Sequence, residues 1–218
     1  MTIVNKFKIE ALSNLDIVDC SIISQTIYQF LKMLNFEYPG FKMWYWSLFS
    51  SKGSLKNERE ILFCRNNNEI IAVSILKYSQ DEKKICTFRV KKSYQGQGIG
   101  HLLMEESFEY LNTDKPLITL HKTKEYEFRS LFKYYNFEKQ QSLKGYYSFF
   151  STELCYNGVL PEKRIIMPGS FDVKGIKRSL EKFVREHMNR FDNLDVLLEN
   201  FVTNYFRENR AVDYCHYV

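Results

Sequence analysis

Nothing in this sequence approaches the roughly 18 consecutive apolar residues that a membrane-spanning helix needs. Met1-Thr2-Ile3-Val4-Asn5-Lys6 also lacks the apolar run of a signal peptide, so no membrane partner and a cytoplasmic location are expected. Cysteine is scarce: Cys20, Cys64, Cys86, Cys155 and Cys215 are odd in number, and no two stand at metal-ligand spacing. That argues against a disulfide framework and a structural metal, and for reduced thiols. Charge of one sign is lacking as well. Thirty-one Lys and Arg against 26 Asp and Glu leave a net charge of +5, too small to argue for a nucleic-acid binder. It suits a protein whose cofactor is a polyanion. Internal repeats and low-complexity tracts are absent too. What is present is material for a core, with 44% hydrophobic residues, 18 Phe and 15 Tyr, so a folded protein is expected rather than a disordered one.

The periodicity alternates between strand and helix. Residues 5–11 alternate polar and apolar and read as a strand. Asn14 is a plausible N-cap, with Asp16 in the first turn. Behind it Ile17, Val18, Ile22, Ile23, Ile27, Phe30, Leu31 and Leu34 recur at helical spacing. After the Pro39-Gly40 break, the aromatic segment Met43 to Phe49 fits no clear pattern. Glu60 to Arg65 and Glu69 to Tyr78 form a hairpin around Asn66-Asn67-Asn68, and Lys84 to Val90 is a third strand. A helix follows through Leu102, Leu103, Met104, Phe108 and Leu111. Then come a strand at Pro116 to His121 and a helix at Glu125 to Tyr135, closed by Asn136 at a position that wants left-handed backbone. Strands at Phe137–Lys139 and Tyr146–Leu154 complete the series. The fold class is therefore α/β, a mixed sheet with both antiparallel hairpins and strand–helix–strand crossovers, flanked by helices.

Residues 1–156 read as one domain and residues 157–218 as a linker with a helical C-terminal extension. The linker, 157–172, holds Pro161 and Pro168. One amphipathic helix then uses Val173, Ile176, Leu180, Phe183 and Val184. A second, capped by Asp192, uses Val196, Leu197, Phe201, Val202, Tyr205 and Phe206. Such a pair suits partner docking or a homodimer surface better than an independent catalytic unit.

Chemistry concentrates where a strand ends at Val90 and glycines cluster before a helix. In Gln95-Gly96-Gln97-Gly98-Ile99-Gly100 the glycines allow the backbone N–H groups to converge, and the helix N-terminus adds partial positive charge. This is a cradle for phosphate. The spacing is wrong for the dinucleotide fingerprint G-x-G-x-x-G, and the G-K-[ST] of the nucleotide P-loop is absent. The segment reads Q-x-x-G-x-G and resembles the pyrophosphate loop of the GNAT acetyltransferase superfamily. Leu131-Phe132-Lys133-Tyr134-Tyr135-Asn136-Phe137 likewise resembles that family's L-Y-x-K-x-G-F signature, and the element order from residue 5 to about 155 agrees.

The resemblance implies an N-acetyltransferase that moves an acetyl group from acetyl-CoA, its cosubstrate, to a primary amine on a small molecule or protein by direct attack. It implies that the amides of residues 95–100 hold the pyrophosphate. The pantetheine arm would enter a gap between the strand ending at Val90 and the strand ending near His121. The N–H of Phe88 or Val90 would polarise the thioester carbonyl. The chain departs from the pattern at Phe132, where a tyrosine often serves as general acid, and at Glu125, where an asparagine often opens the helix. Tyr135, about 60° around the helix from Phe132, is the substitute acid. His121 is the candidate base, with Glu125 to assist it. The departures also admit a second function: a degenerate acyl-CoA-binding module that senses the cofactor or serves in an assembly.

Overall fold

The computed structural model describes residues 7–38, 40–51, 53–147, 151–161, 178 and 180–185. The chain divides into two compact units, Met1–Met33 with Lys42–Pro161, and Leu34–Phe41 with Glu162–Val218. The first unit holds the whole sheet.

Seven strands form that sheet: β1 (Ile9–Ala11), β2 (Arg59–Asn66), β3 (Glu69–Tyr78), β4 (Lys83–Val90), β5 (Leu117–His121), β6 (Lys139–Lys144) and β7 (Thr152–Tyr156). Their spatial order is β1-β2-β3-β4-β5-β7-β6. β1 to β4 are antiparallel neighbours, β4 and β5 are parallel, and β7 is antiparallel to both β5 and β6. The expected mixed α/β architecture is therefore present. The β2–β3 hairpin turns at Asn67, whose φ of 54° is one that asparagine tolerates.

The helices are α1 (Ile17–Leu31), α2 (Leu34–Glu37), α3 (Phe41–Ser47), α4 (Ile99–Leu111) and α5 (Glu125–Tyr134). Asp16 caps α1, its carboxylate accepting the Asp19 N–H at 2.8 Å. Asn14 instead ends a short 3-10 turn, Leu12–Asn14, which inserts Leu12 into the core before α1 begins. The aromatic segment without a clear pattern folds as α3, where Tyr45 is fully buried and donates to the Ser24 carbonyl at 2.7 Å. Asn136 has a φ of 52°, the left-handed backbone expected after α5. The last two strands start later than their residue pattern suggests, at Lys139 and Thr152. Of the C-terminal helices expected from the sequence, Arg178 and residues 180–185 are helical. The rest of both lies outside the described residues.

One sheet face is apolar and lies beneath α4 and α5. Ile99, Leu103, Met104 and Leu111 of α4 pack there with Leu62, Ala72, Leu76, Ile85, Ile118 and Leu120. Each fully buried side chain of this size contributes about 1.5–3 kcal/mol. Phe132 of α5 is 5% exposed, stacks on Phe137 at 5.1 Å and meets Tyr156 at 4.4 Å. The position where a hydroxyl was expected is thus an aromatic core contact.

Candidate functional site

The glycine segment forms a shaped loop between β4 and α4. A 3-10 turn, Lys92–Tyr94, reverses the chain, with Tyr94 N–H donating to Lys91 at 2.8 Å. Two glutamines then pin the loop. The Gln95 amide donates to the Val90 carbonyl at 3.2 Å, and the Gln97 amide to the Ser93 carbonyl at 3.1 Å. Gly96 and Gly98 have φ of 74° and 84°, the left-handed region where a side chain is strained. Gly98 is the N-cap of α4, so no side chain caps the first turn and its N–H groups face outward from Ile99, Gly100 and His101.

Gly100 is different. Its backbone is ordinary, and a Cβ built there meets nothing within 4 Å. Nothing in the fold requires glycine at this place, yet the absent side chain leaves the helix N-terminus open. That arrangement fits a pyrophosphate lying against bare amides.

Next to the loop, the sheet forks. β4 and β5 pair only at Lys84–Leu117 and Ile85–Ile118, after which the two strands run on unpaired. A bulge accompanies the fork: Thr87 faces Ile75 and Ile85 faces Leu76, leaving Cys86 as the extra residue. The ladder alternation fixes which backbone groups face the opening. Lys91 N–H donates to the Ile71 carbonyl at 2.7 Å, so in this register Arg89 and Thr87 bond to β3 as well. The N–H and C=O of Phe88 and Val90 therefore point away from β3, into the fork. The bond from Gln95 to the Val90 carbonyl is an independent sign of this direction. On the helix side the Phe88 ring meets Phe128 of α5 at 6.0 Å.

The acid–base candidates are not brought together. Tyr135 follows α5, and its hydroxyl bonds Glu105 at 3.1 Å and the His101 ring at 3.2 Å, both on α4. Burial, then the neighbouring Glu105 carboxylate, pushes its pKa well above the tyrosine range and keeps the proton on. Glu125 accepts from Lys139 at 2.9 Å and from the Tyr156 hydroxyl at 2.8 Å. Those two bonds hold its carboxyl below the usual range, which weakens it as a base. His121 ends β5 at the fork. Its Nδ1 accepts the Thr123 N–H at 3.3 Å and lies 2.7 Å from the Thr123 hydroxyl, capping the 3-10 turn Lys122–Lys124. With Nδ1 an acceptor, the neutral ring carries its proton on Nε2.

The sheet register supplies a residue that the amino-acid pattern did not single out. Glu153 of β7, 1% exposed, lies directly opposite His121, on the face away from α4 and α5. Opposed residues of antiparallel strands have Cβ atoms about 4.5–5.5 Å apart. The available signal was a lone carboxylate in Thr152-Glu153-Leu154-Cys155-Tyr156, an otherwise apolar-rich strand. Beside it, burial and then the Glu153 carboxylate push the Tyr147 hydroxyl well above the ordinary tyrosine range. Burial raises the thiols of Cys20, Cys64, Cys86 and Cys155, so none of them is a poised nucleophile. Among the described residues no cluster could hold a metal ion, and no helix is long and apolar enough to cross a membrane.

Comparison with known proteins gives a family match and a likeness of fold. Residues 44–145 match the family model described as "Acetyltransferase (GNAT) domain". Among solved structures, a protein assigned to the GNAT acetyltransferase family from Desulfovibrio desulfuricans aligns with a TM-score of 0.51 at 11% identity. The alignment covers 69% of this chain and 96% of that one, and at this identity the likeness is one of fold. The ribosomal-protein-S18-alanine N-acetyltransferase of Escherichia coli aligns at 0.48 with 15% identity, over 72% and 97% of the two chains. A GNAT family acetyltransferase from Elizabethkingia anophelis with acetyl-CoA bound aligns at 0.38 with 19% identity, over 45% and 74%. No curated protein sequence matches the chain.

Proposed function

We propose, from the match of residues 44–145 to the GNAT acetyltransferase domain, that this protein binds acetyl-CoA in the fork between β4 and β5 and transfers its acetyl group to a primary amine by direct attack. The observation that carries this reading is the conjunction of the open-ended α4, bare at Gly100, with a β4 edge whose Phe88 and Val90 amides face the fork.

The cosubstrate supplies an activated acetyl thioester. The amides of residues 95–100 bind the pyrophosphate, with the partial positive charge of the α4 terminus behind them. The N–H of Phe88 or of Val90, two groups about 6.6 Å apart along the strand, donates to the thioester oxygen and stabilises the charge that develops there. Donors of this kind contribute about 2.7–4 kcal/mol each in well-studied enzymes. Both sit on a strand held by β3, so they are oriented before any ligand arrives.

Proton handling falls to His121, the one candidate on the strand edge of the fork. Glu153, opposite it, stabilises the imidazolium form. Tyr135 serves to hold α5 against α4, and Glu125 ties the start of α5 to β6 and β7. The alternative reading, binding without turnover, is favoured by the loss of the hydroxyl at Phe132.

Two measurements separate these. Saturating acetyl-CoA, at about 100 times its Kd, stabilises the fold by about 2.7 kcal/mol in both cases. Only the enzyme releases free CoA thiol in an amine-dependent manner. An unchanged melting curve at millimolar acetyl-CoA would refute both readings, and stabilisation without thiol release across an amine panel would leave only the second.

A further inference from the structure

We infer that the sheet face opposite α4 and α5 carries an anion-binding row, centred on Arg59 and Lys84, that selects amine acceptors bearing a carboxylate or phosphate group. This rests on the acetyl-transfer reading, because it assigns the acceptor to that same fork.

The row follows from the register of three adjacent strands. Arg59 of β2 lies opposite Lys77 of β3, and Lys77 lies opposite Lys84 of β4. Three cations thus stand side by side on one face. Like charges directly opposed across strands are destabilising. One carboxylate answers them: Glu82 pairs with Lys77 at 2.8 Å. Among the described residues Arg59 reaches only the Cys86 sulfur, at 3.6 Å, and Lys84, 9% exposed, makes no ion pair. Glu153, on the same face, is not in ion-pair contact with either. Among the described residues the row therefore holds two cations without a carboxylate partner, one of them, Lys84, buried, and such a place favours an anion.

Its place agrees with an acceptor site. Lys84 and Ile85 are the last residues of β4 to pair with β5, so the row lies at the base of the fork. The apolar face under α4 and α5 leads to the phosphate loop and suits the cofactor arm. The acceptor then approaches from the opposite face along Thr87, Thr119 and His121, beside the apolar cluster of Leu117, Cys155, Tyr146 and Tyr147. Lys84 is four residues before Phe88, about 13 Å of strand. The long side chains of the row span part of that distance, so the acceptor's anionic group is separated from its amine.

The test uses the full chain and matched acceptor pairs. Glycine, 4-aminobutyrate and 6-aminohexanoate are each compared with the corresponding carboxamide, and 2-aminoethyl phosphate with ethanolamine. In the best pair we expect the anionic member to have a kcat/KM about 10- to 100-fold higher, the effect of a charge-assisted bond. Which pair shows it distinguishes carboxylate from phosphate. Arg59→Gln and Lys84→Met are each expected to bring that ratio toward one. Lys84→Met is also expected to melt no lower than wild type, because it relieves the row of a buried like charge. Ratios near one for every wild-type pair, or ratios unchanged in both variants, overturn the proposal.

Titration of N-acetyl-6-aminohexanoate, N-acetyl-4-aminobutyrate and N-acetyl-2-aminoethyl phosphate against their neutral analogues reads the same selectivity without turnover. If acetyl-CoA neither binds nor reacts, the acetyl-transfer reading fails. The titrations still decide the anion row on their own: preference for an acid sustains it, and equal binding of acid and neutral analogue removes it.

Discussion

Gly100 is the residue at which fold and ligand make opposite demands. Within α4 a glycine costs roughly 0.5–1 kcal/mol relative to a good helix former, and a Cβ there meets only open space. Gly100→Leu is therefore expected to leave the ligand-free protein as stable as wild type or slightly more so. The same variant should lose the stabilisation by acetyl-CoA, because its side chain lies across the bare amides. Melting curves with and without ligand check both halves, and retained ligand stabilisation would mean the phosphate binds elsewhere. Tyr135 offers the complementary case. Its hydroxyl is engaged with Glu105 and His101 and is held protonated. Tyr135→Phe is expected to cost about 0.5–1.5 kcal/mol of stability with kcat within about twofold of wild type. A positioned general acid would instead be worth roughly 10²–10⁴-fold in rate, so a loss on that scale would return Tyr135 to the chemistry.

Among the elements, β4 has two unlike edges, and hydrogen exchange can read them separately. The amides of Thr87 and Arg89 are bonded to β3, whereas those of Phe88 and Val90 face the fork. Exchange in the ligand-free protein is expected to be faster at 88 and 90 than at 87 and 89, and to slow at 88 and 90 when acetyl-CoA is added. Equal protection at all four would contradict the orientation argued for the donors. The end of this strand and the glycine turn into α4 were legible in the sequence, since Val90, the glycines and the apolar spacing of the helix are local signals. So was the reversal at Asn136, where a short polar side chain tolerates left-handed backbone. The bulge at Cys86 was not, because a one-residue register shift is set by β3 and leaves no mark in β4 alone. The His121–Glu153 opposition and the Arg59–Lys77–Lys84 row were hidden for the same reason. Each joins residues that only strand pairing brings together. Tyr135 and Glu125 could be placed on α5 from periodicity, yet their partners on α4, β6 and β7 lie 14 to 34 positions away.

At the scale of the whole molecule, the phosphate loop, the fork and the cation row all lie within the unit formed by residues 1–33 and 42–161. The insertion of β7 between β5 and β6 has a consequence for how that unit is made. Thr119 of β5 must wait for Cys155, 36 residues later, before its open side is filled. On a ribosome adding roughly 5–20 residues per second, that interval is about 2–7 s. Throughout it the nascent chain exposes an unpaired β5 edge, while β6, already synthesised, must leave room for a strand that does not yet exist. An edge left open is a template for pairing with another chain. The hazard in the life of this protein therefore lies in its birth, in the seconds before Tyr156 emerges, when neighbouring polysomes are nearest.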